Sequence, residues 1–132
     1  MKNYIIDAYC LITYFEKDSG FEKIIDLFDK TTRNEIKLLM NIINWGEVYY
    51  IILREQGYEK INTFENNFQK LPISLVYPDI SLIKKASEYK AFNSLSYADC
   101  IAAATTKNYG GSLVTGDKEF KELEKNISIE WL

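Results

Sequence analysis

Four acidic residues stand out by where they sit: Asp7 closing "NYIID", Glu47 in "NWGE", Asp99 in "SYAD" and Asp117 in "SLVTGDKEF". Taken alone, each has an ordinary explanation. Asp7 and Asp117 can cap the helices they precede, because a side-chain oxygen satisfies an unpaired amide at a helix start. Glu47 follows Asn44, and Asp99 follows Ser96, at the capping-box spacing in which an acid reaches back to the cap's amide. Their neighbours argue for more. Glu47 is flanked by Trp45, Gly46, Val48 and Tyr49, and Asp99 by Ala98, Cys100, Ile101 and Ala102. Charged groups are almost never buried among apolar residues unless they are paired or bound to something. Two carboxylates about 4 Å apart repel by roughly 4 kcal/mol at an effective dielectric near 20. Four converging on one place raise one another's pKa values and destabilise the fold unless a cation neutralises them.

The ligand types narrow that cation. The chain contains no histidine, which excludes His-based triads, His-containing zinc sites and His general bases. Oxygen-only donors select hard cations, Mg²⁺ or Mn²⁺ over Zn²⁺. A few carboxylates, completed by water and a substrate phosphate, are the usual Mg²⁺ arrangement. If the four acids meet, the chemistry they favour is cleavage of a phosphate ester.

Such a meeting requires elements that deliver the acids to one edge. The pattern predicts strands over 3–7, 37–41, 73–77, 112–115 and 127–132. Helices are predicted over 8–16, 21–32, 44–56 with Asn44 as N-cap, 58–71, 79–91 and 96–109, with a short one at 118–125. The 44–56 segment is apolar nearly all round, which predicts burial on more than one side. Alternating strands and helices predict an α/β protein with a mainly parallel central sheet and helices on both faces. Ligands of such sheets bind beyond the carboxyl ends of the strands. Asp7 and Asp117 both fall there.

Composition bounds the rest. No linker-like tract or repeat interrupts the 132 residues, so 1–132 is expected to be one domain. A net charge of −3 argues against bulk electrostatic binding of DNA. The apolar runs are short and broken by charges, and the N-terminus lacks signal-peptide features, so a cytoplasmic protein without membrane association is expected. Cys10 and Cys100 read as packed thiols in a reducing compartment, not a disulfide.

The segments "YIIDAYCLI", "NWGEVYYIILRE" and "LSYADCIAAATTKNYGGSLVTGDKEF" resemble the PIN-domain ribonucleases, and in particular the VapC-type toxins of toxin–antitoxin pairs. The resemblance spans essentially the whole chain, and its last motif is the most specific. It implies a three-layer α/β/α fold and a Mg²⁺- or Mn²⁺-dependent endoribonuclease site formed by Asp7, Glu47, Asp99 and Asp117. Thr115 matches the hydroxyl position of the T-G-D motif and is expected to support the metal's water or a carboxylate. The resemblance further implies a homodimer and a small antitoxin partner whose tail fills the acid-lined groove. One departure is visible: the family commonly has Thr or Ser after the first aspartate, where this chain has Ala8 and Tyr9, which removes a hydroxyl from the metal's surroundings.

Lys107, Lys118, Lys121 and Arg54 lie near these motifs in sequence and are candidates to hold an RNA backbone, although each alone reads as a solvated surface cation. Tyr9, beside Asp7, is the tyrosine singled out for RNA contact. Tyr4, Tyr49 and Tyr50 read as core or dimer-contact residues, and Gly116 as the residue that permits a tight turn before Asp117. Two rival readings remain at this stage. An acid-cluster phosphatase or phospho-receiver domain needs a companion acid that "IIDAY" lacks. An inactive PIN-like binding module predicts missing acids, and none of the four is missing.

Overall fold

Ile5 and Ile6, Leu38 and Leu39, and Leu113 and Val114 are adjacent apolar residues within predicted strands. Successive side chains on a strand point to opposite faces, so such pairs call for a core on each side of the sheet. The structure, a computed structural model that describes residues 1–132, has both cores. Its elements are β1 (Lys2–Ile6), α1 (Ala8–Glu16), α2 (Phe21–Thr32), β2 (Ile36–Asn41), α3 (Ile42–Gln56), α4 (Tyr58–Phe68), β3 (Ser74–Val76), α5 (Ile80–Phe92), α6 (Tyr97–Asn108), β4 (Ser112–Thr115), a 3₁₀ helix (Lys118–Leu123) and β5 (Ser128–Trp131). The strands form one sheet in the order β3-β2-β1-β4-β5, every pair parallel.

On one face, α1 to α4 pack over Ile6, Leu38, Met40 and Val114. On the other, α5, α6 and the 3₁₀ helix pack over Ile5, Leu39 and Leu113. The result is the three-layer α/β/α architecture expected. Ala102, Ala103 and Ala104 are fully buried, and these small residues let α6 lie close against the sheet. Gly111 makes a similar close approach at the opposite edge, where any Cβ would collide with the Asn3 carbonyl. Cys10 and Cys100 are buried, free and in different cores, with the sheet between them. No helix is long and apolar enough to cross a membrane.

Several boundaries differ from the sequence reading. The cap of α3 is Asn41, whose side chain accepts from the Ile43 amide; Asn44 lies inside the helix. Only Asn44 and Val48 of α3 are buried, while Ile43 and Tyr50 are exposed, so this helix is covered on one side and not on several. Tyr50 is accordingly not a core residue, unlike Tyr4 and Tyr49, which pack against the α1–α4 core. Helix α4 stops at Phe68 because Leu71 precedes Pro72, where helical backbone is disfavoured. The 118–125 segment forms a 3₁₀ turn and not an α-helix, as expected for so short a run held by a side-chain cap.

Candidate active site

Parallel strands place every carboxyl end on one edge, and the register aligns the two that matter. Ile6 of β1 pairs with Val114 of β4, so Asp7 and Thr115 leave the sheet side by side. Asp7 is 2% exposed. It caps α1 by accepting the Cys10 amide at 2.9 Å on Oδ1, and accepts the Thr115 hydroxyl at 2.6 Å on Oδ2. The same Thr115 oxygen accepts the Asp117 amide at 3.0 Å. Asp117 in turn accepts the Glu119 amide at 3.0 Å and caps the 3₁₀ helix. Both capping explanations are therefore true, and both are links in one chain of hydrogen bonds across the strand ends. The hydroxyl that the sequence lacks after Asp7 reaches that carboxylate from the neighbouring strand.

The other two acids arrive on helices from opposite layers. Glu47 lies in the second turn of α3 and is half-buried. It is not the partner in a capping box, because Asn44 is not the cap. Asn44 instead is fully buried and donates to the Ala98 carbonyl at 3.0 Å. It thereby ties α3, one turn before Glu47, to the start of α6, and its own Oδ1 has no partner in the protein. Asp99 sits in the first turn of α6, where the Ser96 hydroxyl caps its amide at 3.1 Å.

The charges of these groups act on one another. Burial pushes Asp7 up to about 7 against the pull of its two hydrogen bonds, and the Asp99 and Asp117 charges push the same way. Burial likewise lifts Asp99 to about 7, aided by Asp117, Glu47 and Glu119. Glu47 is raised by burial and by Asp117, with Asn44 opposing. One carboxylate oxygen each from Asp99, Asp117 and Glu119 lie within 4.8 Å of one another. Asp7 and Glu47 stand outside that tightest group but within its field. Glu119 escaped the sequence reading. Its offset of two from Asp117, across a capped turn, was the signal that could have found it.

This donor set suits a hard divalent cation. It is all oxygen, it concentrates negative charge beyond what the fold can keep ionised, and each carboxylate oxygen keeps lone pairs beyond those used in hydrogen bonds. Asp7 is a poor phosphoryl acceptor, since it is buried and out of reach of a phosphodonor; this disfavours the receiver-like reading.

Thr115 is the hinge of the arrangement, and its removal is testable. Thr115→Val keeps the shape but leaves the Asp117 amide without an acceptor and Asp7 without its hydroxyl donor. The expected cost is about 1–3 kcal/mol in urea unfolding, which Thr115→Ser should recover.

The four basic candidates separate. Lys118 and Lys121 are exposed on the 3₁₀ helix that begins at Asp117. Lys107 ends α6, eight residues from Asp99 and thus about 12 Å further along the helix axis, toward the other edge of the sheet. Arg54 lies two turns beyond Glu47, over the Tyr50 ring at 5.6 Å and 3.8 Å from Glu55. Sequence proximity to a motif misplaced these two because helices carry residues away from the edge where they start. Gly116 also has a different role from the one expected. Its backbone is not left-handed; a Cβ there would overlap Tyr9 Cε1 and lie 2.9 Å from Tyr9 Cζ. Glycine here makes room for a ring.

Comparison with known proteins agrees with this fold. A family model described as the PIN domain matches residues 4–126. No curated protein matches the chain in sequence. Among solved structures, the chain is similar to VapBC2 from Rickettsia felis, solved bound to a DNA fragment from the promoter, at 14% identity over 98% of both chains with a TM-score of 0.80. It is similar to DNA-bound VapBC from Salmonella typhimurium at 18% identity, over 99% of this chain and 98% of that one, with a TM-score of 0.76. It is also similar to VapC20 of Mycobacterium tuberculosis, a toxin that cleaves the sarcin–ricin loop, at 12% identity over 94% and 95% of the two chains, TM-score 0.73.

Proposed function

The chain belongs to the PIN-domain family, and from that premise we propose that it is a Mg²⁺- or Mn²⁺-dependent endoribonuclease, the toxin of a type II toxin–antitoxin pair. The observation that carries the reading is the convergence of Asp7, Glu47, Asp99 and Asp117, from two strand ends and two helices, on one edge of the sheet. In this role Asp99, Asp117 and Glu119 hold the cation, with Glu47 and Asp7 completing or orienting the set. A divalent ion bound there supplies the positive charge and Lewis acidity that phosphodiester hydrolysis requires. Thr115 links Asp7 to Asp117, and Asn44 fixes the first turn of α3, below Glu47, against α6. Lys118 and Lys121 offer cations to the RNA backbone beside the acids. The chain works in the cytoplasm, pairs with a second copy of itself, and is restrained by a small antitoxin, as the resolved toxin–antitoxin relatives make the natural partner to look for.

The deciding experiment is incubation of the purified protein with a mixed RNA pool in Mg²⁺, in Mn²⁺ and in chelator. Discrete fragments that depend on metal are the expected result; intact RNA throughout, from folded protein, would favour a binding module instead. Glu119→Gln separates the fifth acid from the four expected ones. Because Glu119 is exposed, stability should stay within about 0.5 kcal/mol, while Mn²⁺ affinity measured by calorimetry should fall roughly tenfold.

A further inference from the structure

Tyr9 is unlike the other aromatic residues near the acids. It lies in the first turn of α1, two residues after Asp7, and is 46% exposed. It takes no part in the ring clusters that join Tyr14, Phe15, Phe21 and Phe28, or Trp45, Tyr49, Phe64 and Phe68. Core packing therefore does not explain it. Yet the ring is held: it lies against Gly116, in the turn between Thr115 and Asp117, so closely that a Cβ at 116 would stand 3.1 Å from its hydroxyl and overlap its edge. Asp7 precedes the ring in sequence, Thr115 and Asp117 flank its support, and much of it faces solvent.

We propose that Tyr9 is a stacking platform for an unpaired nucleobase next to the scissile phosphate, and that Gly116 exists to seat it. This rests on the nuclease reading and adds to it a residue that positions the substrate's base. An aromatic ring fixed by backbone on one side offers its exposed surface at little further entropic cost. Bases in a duplex are already stacked on both faces, whereas those of single-stranded loops and ends are free to stack on protein rings. The platform thus selects single-stranded RNA with little preference among bases, since every base has a π-face.

The test uses the full chain, Mn²⁺, and a single-stranded RNA oligonucleotide with a mapped cleavage point, intact or abasic at the nucleotides flanking that point. Tyr9→Ala is expected to raise KM for the intact RNA about tenfold, and Tyr9→Phe to restore it. Gly116→Ala, which the backbone tolerates, pushes the ring aside by rotation about χ1 and should reproduce the loss; the double variant should be no worse than either single one. One of the abasic RNAs should be cleaved equally by wild type and Tyr9→Ala. The proposal is overturned if Tyr9→Phe is as defective as Tyr9→Ala, which would assign the effect to the hydroxyl. It is overturned equally if Tyr9→Ala leaves KM unchanged while wild type still cleaves, an outcome that spares the nuclease reading. Folded wild-type protein that neither cleaves nor binds the RNA overturns both.

Discussion

Asp99→Asn should abolish metal-dependent RNA cleavage, by about 100-fold or more, and should leave the metal-free protein at least as stable as wild type at pH 8. The two halves of this result come from the same surroundings. Asp99 is lifted to about 7 by burial and by the charges of Asp117, Glu47 and Glu119. An ionised carboxylate there is a liability to the fold and an asset only to a bound cation. The amide keeps the volume, relieves the repulsion, and withdraws an anionic ligand from the group whose oxygens lie within 4.8 Å of one another. Cleavage of a labelled oligonucleotide and thermal melts in chelator, side by side, check both halves. A variant that cleaves at the wild-type rate in Mn²⁺ removes Asp99 from the site. One that is inactive because it has unfolded shows that the carboxylate is structural.

The second large effect is a dependence of stability on pH that metal should cancel. Asp7 titrates near 7 in the folded chain, against 3.8 for the ordinary side chain. Between those values the folded protein holds a proton that the unfolded chain has released, so stability falls as pH rises. The advantage of the protonated fold is complete below about 4 and gone above about 7. Asp99 and Glu47 shift in the same direction. For Asp7 alone the change is at most about 4 kcal/mol. The chain has no histidine, so the interval from pH 5 to 8 is left mainly to these carboxyls. Melts in chelator should show Tm lower at pH 8 than at pH 5 by on the order of 5–10 °C. Saturating Mg²⁺ or Mn²⁺ should recover most of that loss at pH 8 and do little at pH 5. Equal Tm values at the two pH values without metal would mean that the acids are better solvated than their burial implies.

Much of this site was legible in the sequence, because parallel α/β topology follows from alternating elements and sends strand-end residues to one edge. Asp7 and Asp117 could be placed from that rule, whereas Asp99 and Thr115 came from their neighbours and from the family resemblance. What could not be read was three-dimensional. Asn44 looked like a cap because Asn often is one; that Asn41 takes the role, freeing Asn44 to tie α3 to Ala98, depends on where β2 ends. Glu119 drew no reading, because only the turn at Asp117 brings this exposed acid beside Asp99. Gly116 looked like a turn residue, and only the position of a ring 107 residues earlier in the chain explains it. Lys107 and Arg54 illustrate the converse, since a helix carries its later residues away from the edge where it starts.

The strand order has a consequence for the way such a protein is made. β4 is not an edge strand; it slots between β1 and β5, the first and last strands of this domain in chain order. The carboxylates are spread from residue 7 to residue 117, and Asp7 has no hydroxyl beside it until Thr115 is laid down. A chain translated only through β3 has three of the five strands but neither Asp99 nor Asp117, so the site cannot close until the last part of the domain is made.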